Sequence, residues 1–335
     1  MTHRTSPSGS EQPLDTAYDT ALLDLDGVVY AGGDAIAHAV DSLTAARSDG
    51  MRLAYVTNNA ARTPQAVAEH LSRLGVPAET EDVITSAQAV ARLIADQVPA
   101  GAKVLAVGGE GLFAALRERG LQPVESADDG PAAAVQGYGP ELRWSQLAEM
   151  AHAVNAGVPW FASNTDLTIP TARGVAPGNG AAVQAVRYAT GREPQVAGKP
   201  QPPMHRETVL RTGARRPLVV GDRLDTDIEG ANASGVDSLL VLTGVSTAAE
   251  LVAAPPEHRP TYVAADLRGL LTPHPPVTWD GSQAHCGGWT ADSALELTGS
   301  GEPLDGLRAL CRAAWSRTDD TPAPDPAKAL SHLNL

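Results

Sequence analysis

Short apolar runs recur along this chain, and several of them end abruptly on polar side chains. Ala21–Leu23 runs into Asp24, Leu53–Val56 into Thr57, Asn58 and Asn59, and Leu218–Val220 into Gly221 and Asp222. Apolar runs of that length bounded by turn residues predict buried strands. Between them the apolar period lengthens. Ile36, Val40 and Leu43 share one helical face ahead of Gly50, which predicts a helix over 35–49. Thr63-Pro64 reads as an N-cap and first helical residue, with a stop at Gly75. Further along, the pattern predicts a helix over 85–97, strands over 103–107 and 132–136, and helices over 111–119 and 144–156. A strand over 159–163 and a helix over 181–190 come next, and then strands over 217–220 and 238–242. Strands alternating with helices predict an α/β fold.

The strand ends carry the candidate chemistry. Residues i and i+2 of an extended chain share a face, so Asp24 and Asp26 are expected to converge at a strand's carboxyl end, where open α/β sheets place their ligands. Such a pair invites a metal ion and acid–base chemistry, while a strand running out into an Asp-Gly turn stays open on these residues alone. Thr57 and Asn58 would lie at the same edge and can donate hydrogen bonds to a phosphate oxygen; a polar turn that merely caps a helix is the alternative. Lys199 sits between glycine and proline, and Lys103, Lys199 and Lys328 are the chain's lysines. An ammonium in that setting suits phosphate, although an ordinary solvated lysine fits too. The run Gly221-Asp222-Arg223-Leu224-Asp225-Thr226-Asp227 then brings further carboxylates. Like charges about 4 Å apart repel by ~4 kcal/mol at an effective dielectric of 20. The crowd therefore needs a cation, a shared proton or a basic partner, and a divalent metal is the simplest answer.

In this order the segments resemble the four motifs of the haloacid dehalogenase-like phosphohydrolases. Asp24-Leu25-Asp26-Gly27-Val28 matches the first motif, Thr57-Asn58 the second, Lys199 the third and Gly221-Asp222 through Asp227 the fourth. The resemblance covers residues 18–272. About 140 residues separate Thr57 from Lys199, far more than one parallel crossover needs. An insertion there is similar to the large α/β cap of the NagD-like and 4-nitrophenylphosphatase-like branch. Tyr30, Asn164-Thr165-Asp166, Pro170-Thr171, Gly174 and Pro177-Gly178-Asn179-Gly180 resemble that branch as well.

The resemblance implies a Rossmann-like doubly wound parallel sheet at 18–85 and 195–272, a cap domain at 86–194, and Mg²⁺-dependent phosphatase activity. Asp24 would be the nucleophile and Asp26 the general acid and base. Asp24, the Asp26 main-chain carbonyl and Asp222 would hold Mg²⁺, with Asp227 ordering the metal's surroundings and Lys199. Thr57, Asn58 and Lys199 would bind the phosphoryl group. Asn164, Asp166, Arg173 and Asn179 are polar candidates to face the leaving group, and each could equally hold a turn. The small aromatic share, 4%, tilts the expected substrate toward a small polyol or hydroxyacid phosphate, and the resemblance of the C-terminal appendage to that of some members of this branch implies glycerol 3-phosphate. Phosphoglycolate, pyridoxal phosphate and broader sugar or aryl phosphates are the alternatives. A phosphotransferase or phosphomutase would share the aspartyl-phosphate, and a silent phosphate-binding protein would be expected to lose Asp24 or Asp26. A receiver domain would lack so long an insertion.

Composition narrows the partners. The 335 residues suit two or three domains, and the net charge of −14 argues against nucleic acid. Two cysteines, Cys286 and Cys311, suit a reducing compartment. Without an apolar run long enough to span a bilayer, a soluble cytoplasmic protein is expected, with no membrane partner. A homodimer stays open. Residues 1–17, rich in Ser, Thr and Pro, are expected to be disordered. Residues 276–318 form an α+β appendage, with a strand-like Ala294–Leu297 and a helix over 303–315. It resembles the truncated acetyltransferase-like appendage of some actinobacterial members of this branch, and packing against the core is its expected role. His285-Cys286 falls short of a zinc site. Residues 319–335 are expected to be loose. Gly109-Glu110-Gly111-Leu112-Phe113-Ala114 fits a dinucleotide fingerprint, but glycine at a strand–helix turn gives the same match.

Overall fold

The computed structural model describes residues 4–171, 173–317 and 324–335. It is an α/β protein whose chain divides into two compact units: residues up to Leu53 with Ala214–Leu335, and Ala54–Gly213.

In the first unit, strands Thr20–Leu23, Pro217–Gly221, Asp237–Val241 and Tyr262–Ala264 pair in parallel. They are buried along nearly their whole length, as expected for a parallel sheet covered on both faces. Register sets where the polar side chains emerge. Leu23 pairs with Val220, and the ladder extends one step further, the Asp24 N–H donating to the Val220 carbonyl at 2.8 Å. Asp24 and Asp222 therefore leave the sheet at the same edge.

Residues 4–17, expected to be disordered, are held against the first unit. Arg4 donates to Asp237 at 2.8 Å, the Ser8 N–H donates to the Thr261 carbonyl at 2.7 Å, and Leu14 is fully buried. Composition averages over the whole segment, whereas one buried leucine and a few main-chain bonds suffice to hold it.

The C-terminal appendage has a four-stranded antiparallel sheet, Thr278–Trp279, Gln283–Cys286, Trp289–Asp292 and Leu297–Gly299, and the helix Pro303–Trp315. The expected strand begins later than Ala294, because the Asp292 carboxylate accepts the Ala294 and Glu296 N–H groups and closes a turn with Leu295 at φ 62°. One apolar cluster joins Leu240, Leu251 and Val263 of the sheet unit to Leu307, Leu310 and Trp315 of the appendage. Arg308 adds a hydrogen bond to the Val263 carbonyl at 2.6 Å. The expected packing role is thus observed. The tail expected to be loose begins outside the described residues, but Ala327–Leu333 is a helix that buries Leu330 and Leu333 in the same cluster. Ala329 is buried with them, and these three apolar side chains are enough to dock the helix.

In the second unit, Arg52–Thr57 pairs in parallel with Val83–Thr85. Thr63 caps Pro64–Arg73 by accepting the Ala66 N–H at 3.2 Å. A five-stranded parallel sheet has the order Gln195–Val196, Trp160–Ala162, Ala133–Gln136, Lys103–Val107, Gln122–Val124. Gln195–Val196, expected to open the return to the core, is still the edge strand here. An antiparallel hairpin, Thr168–Thr171 with Gly174–Pro177, was hidden by its prolines.

Glu207, on the helix Pro202–Thr212, has no exposed surface and meets three guanidiniums, those of Arg92, Arg119 and Arg211. Burial alone would raise its carboxyl, but hydrogen bonds and charge from Arg92, Arg211 and Arg119 outweigh burial and hold it below the usual glutamate range. That contribution is full above the unfolded value of about 4.3 and is lost as pH falls through the depressed folded value. Glu207→Gln should cost about 3 kcal/mol at pH 7, and the gap from the native protein should close below pH ~4; denaturant unfolding at several pH values measures both. Leu310→Ala, cutting into the shared cluster, should cost about 2–5 kcal/mol in the same assay.

Candidate functional site

The first unit gathers three carboxylates at its sheet edge. Ligand atoms of Asp24, Asp222 and Asp227 all lie within 4.8 Å of one another. Asp222 and Asp227 are 1% and 2% exposed. The backbone is shaped around them. A Cβ on Gly27 would stand 2.4 Å from an Asp222 oxygen, one on Gly244 2.0 Å from the same carboxylate, and one on Gly221 2.2 Å from the Asp227 Cβ. Gly27 also holds φ +84°, a conformation that favours glycine. The Val245 N–H donates to Asp222 at 2.7 Å and the Arg223 N–H to Asp227 at 3.3 Å. Asp227 stands in a widened helical turn, Leu224–Ile228. Such turns concentrate at functional sites.

An all-carboxylate set suits a hard divalent cation, which takes oxygen ligands and offsets the mutual repulsion. Asp227 was expected outside the ligand set, yet the geometry places it level with Asp24 and Asp222. Asp26 is exposed and its side chain is outside the set. The strand ends at Leu23 and the chain turns at the buried Leu25, so Asp24 and Asp26 do not share an extended stretch, and only the Asp24 carboxylate is in the set. Asp225 pairs with Arg223 at 2.8 Å near the surface. Gly244 and Val245 were missed in the sequence, although the signal was the familiar one, an apolar strand ending in Leu242-Thr243-Gly244.

The second unit holds the remaining motif residues. Thr57 is buried at the end of its strand, and its hydroxyl oxygen accepts the Asn59 N–H at 3.1 Å. The Lys199 ammonium donates to the Val56 carbonyl at 3.2 Å, beside Thr57. Asn58 ties this region together: its Oδ1 accepts the Lys199 N–H at 2.8 Å, and its Nδ2 reaches Asp166 and the Lys199 carbonyl at 3.2 Å. A Cβ on Gly198 would lie 2.5 Å from the Ser163 carbonyl oxygen and 2.6 Å from Asn58 Oδ1, so only glycine admits that approach.

Other candidates are placed elsewhere. Asn164 and Asn179 are buried and hold the chain together. Asn164 donates to the Asn58 carbonyl at 2.7 Å, and Asn179 to the Asn164 carbonyl at 2.7 Å. Arg173 is exposed at the hairpin turn. His285 lies 3.1 Å from both Asp280 and Thr290, while burial pushes the Cys286 thiol up to about 12, far from a metal-binding thiolate. In the dinucleotide-like run, a Cβ on Gly109 or Gly111 would collide with Ala61 or Arg62, so close packing accounts for both glycines.

Comparison with known proteins agrees with this geometry. A family profile described as haloacid dehalogenase-like hydrolase matches residues 21–122, and a HAD-hydrolase-like profile matches 196–270. A GCN5-related N-acetyltransferase-like profile matches 286–335. A D-glycerol 3-phosphate phosphatase of Mycobacterium tuberculosis is 47% identical over 309 residues, covering 89% of this chain and 86% of the relative. An acid sugar phosphatase of Staphylococcus aureus is 38% identical, over 76% of this chain and 97% of the relative. Among solved structures, a glycerol phosphate phosphatase of Mycobacterium tuberculosis in complex with magnesium superimposes with a TM-score of 0.86 at 43% identity, over 96% of this chain and 99% of that one.

The glycine cradle can be tested directly. Gly244→Ala should weaken Mg²⁺ binding about tenfold or more by crowding Asp222, seen as a smaller Mg²⁺-induced rise in unfolding temperature. An unchanged rise would contradict the cradle.

Proposed function

The chain belongs to the haloacid dehalogenase-like hydrolases, and from that premise we propose that it is a Mg²⁺-dependent phosphatase acting on glycerol 3-phosphate. The clustering of Asp24, Asp222 and Asp227 within 4.8 Å carries the metal part of this reading. The substrate rests on the extent of likeness to glycerol phosphate phosphatases, which includes the C-terminal appendage; the acid sugar phosphatase aligns with 76% of the chain.

Asp24 attacks phosphorus, the P–O bond to the alcohol breaks, and the leaving oxygen takes a proton from Asp26. Asp26, now a carboxylate, deprotonates a water that attacks the aspartyl-phosphate, releasing phosphate and restoring both residues. Asp24, the Asp26 main-chain carbonyl and Asp222 would hold Mg²⁺, with the Asp227 carboxylate beside them. The bound cation supplies positive charge that lets a carboxylate approach a phosphate dianion. The Thr57 hydroxyl and the Lys199 ammonium orient and neutralise the transferring group. Asn58, whose side chain is committed to Lys199 and Asp166, contributes through their placement. Asp166 and Arg173 remain the polar candidates to face the leaving group, while Asn164 and Asn179 act as supports.

The partner is a small phosphorylated metabolite. Both cysteines are free and buried, which fits a reducing cytoplasmic setting. Among the described residues no helix is long and apolar enough to cross a membrane.

Asp24→Asn should reduce phosphate release from glycerol 3-phosphate to below about 1% of the native rate, because a lost covalent nucleophile costs several kcal/mol. Excess chelator should abolish release and added Mg²⁺ restore it. Circular dichroism guards against a folding artefact. Native-level activity in either case would refute the assignment, and a preference for phosphoglycolate or pyridoxal phosphate would overturn the substrate alone.

A further inference from the structure

Asn58, Asp166 and Asn164 form a closed ring of hydrogen bonds. Asn58 Nδ2 donates to both Asp166 carboxylate oxygens at 3.2 Å, the Asp166 N–H donates to Asn164 Oδ1 at 3.1 Å, and Asn164 Nδ2 returns to the Asn58 carbonyl at 2.7 Å. Ser86 reinforces that carbonyl at 2.6 Å. Gly180 donates its N–H to the Asp166 carbonyl at 2.8 Å, so the turn at 164–166 is anchored to the start of the next helix. The ring closes between the end of the strand Arg52–Thr57 and a turn more than 100 positions later in the chain, as the separation of 108 between Asn58 and Asp166 records.

The polarity of this ring matters to Lys199. A side-chain amide can present either its oxygen or its nitrogen to a given neighbour, and the surrounding partners decide which. An ionised carboxylate accepts hydrogen bonds and donates none. Asp166 thus requires the NH₂ end of Asn58 to face it. The carbonyl end is then turned to the Lys199 N–H, which it meets at 2.8 Å, and the Nδ2 also reaches the Lys199 carbonyl. Hydrogen bonds to a charged acceptor are about twice as strong as neutral ones, so the carboxylate is the strongest of the partners that select this one orientation, which the Lys199 N–H and carbonyl also favour.

We propose that Asp166 is a positioning residue, which fixes the orientation of the Asn58 amide and through it the main chain of Lys199. The effect on catalysis rests on the phosphatase reading, in which Lys199 binds the phosphoryl group; the effect on Lys199 itself does not. The ring also gives the inserted segment a direct hold on the phosphate-binding lysine. A shift of the 164–166 turn reaches Lys199 through one side chain.

The test measures hydrogen exchange at the Lys199 amide in the full chain, alongside hydrolysis of glycerol 3-phosphate with Mg²⁺. Asp166→Ala should speed Lys199 exchange by about tenfold or more, lower kcat/KM by a similar factor, and raise the inhibition constant of inorganic phosphate. Asp166→Asn keeps an acceptor oxygen but loses the charge, and should fall between the native protein and the alanine variant in all three. Asp166→Leu, which branches at the same carbon as the native side chain but is bulkier and accepts no hydrogen bond, replaces the alanine variant if that one does not fold. Unchanged Lys199 exchange in Asp166→Ala or Asp166→Leu would overturn the proposal. So would a drop in kcat/KM in Asp166→Ala that leaves Lys199 exchange at the native rate. If the native chain hydrolyses no phosphate ester, the phosphatase reading fails while the exchange result still decides the positioning role.

Discussion

Mutual repulsion among three carboxylates is the constraint on which this structure turns. Asp24, Asp222 and Asp227 offer oxygens within 4.8 Å of one another, two of them from side chains almost wholly removed from water. Burying an unpaired charge costs several kcal/mol even after relaxation. Such a set persists because surrounding backbone holds it, and it becomes favourable when a cation completes it. Stability is thereby given up at the sheet edge, and a bound cation would restore it.

The rest of the first unit can be read as the apparatus that holds the set in place. Parallel pairing in register brings Asp24 and Asp222 out at the same edge. Gly27, Gly221 and Gly244 clear the space that the Asp222 and Asp227 side chains occupy. Leu224 and Ile228, at either end of the turn that carries Asp227, enter the same apolar cluster as Leu307, Leu310 and Trp315 of the appendage. The C-terminal segment is in this sense part of the core that backs the metal loop.

Much of this was legible in the residues because strand ends are local. An apolar run stopping at Asp24, Thr57 or Asp222 announces its polar end whatever surrounds it, and Thr63-Pro64 carries its own capping chemistry. Partner choice is not local. Asn164 and Asn179 had the right polarity to face a substrate, and only the folded chain shows their amides turned toward the main-chain carbonyls of Asn58 and Asn164. The resemblance implied a role for Asp227 around the metal, and only the widened helical turn shows its carboxylate level with Asp24 and Asp222. Pro170 and Pro177 disguised a hairpin as a loop, and the polar composition of residues 4–17 outweighed Leu14.

Unfolding of the Asp227→Asn variant, with and without Mg²⁺, tests the central claim most directly. The amide keeps the shape and an acceptor for the Arg223 N–H while removing one negative charge. The account predicts opposite signs: in excess chelator the variant is more stable than the native protein, because repulsion is relieved, and with Mg²⁺ the native protein gains stability that the variant does not. A variant less stable in chelator, and equally stabilised by Mg²⁺, would contradict it.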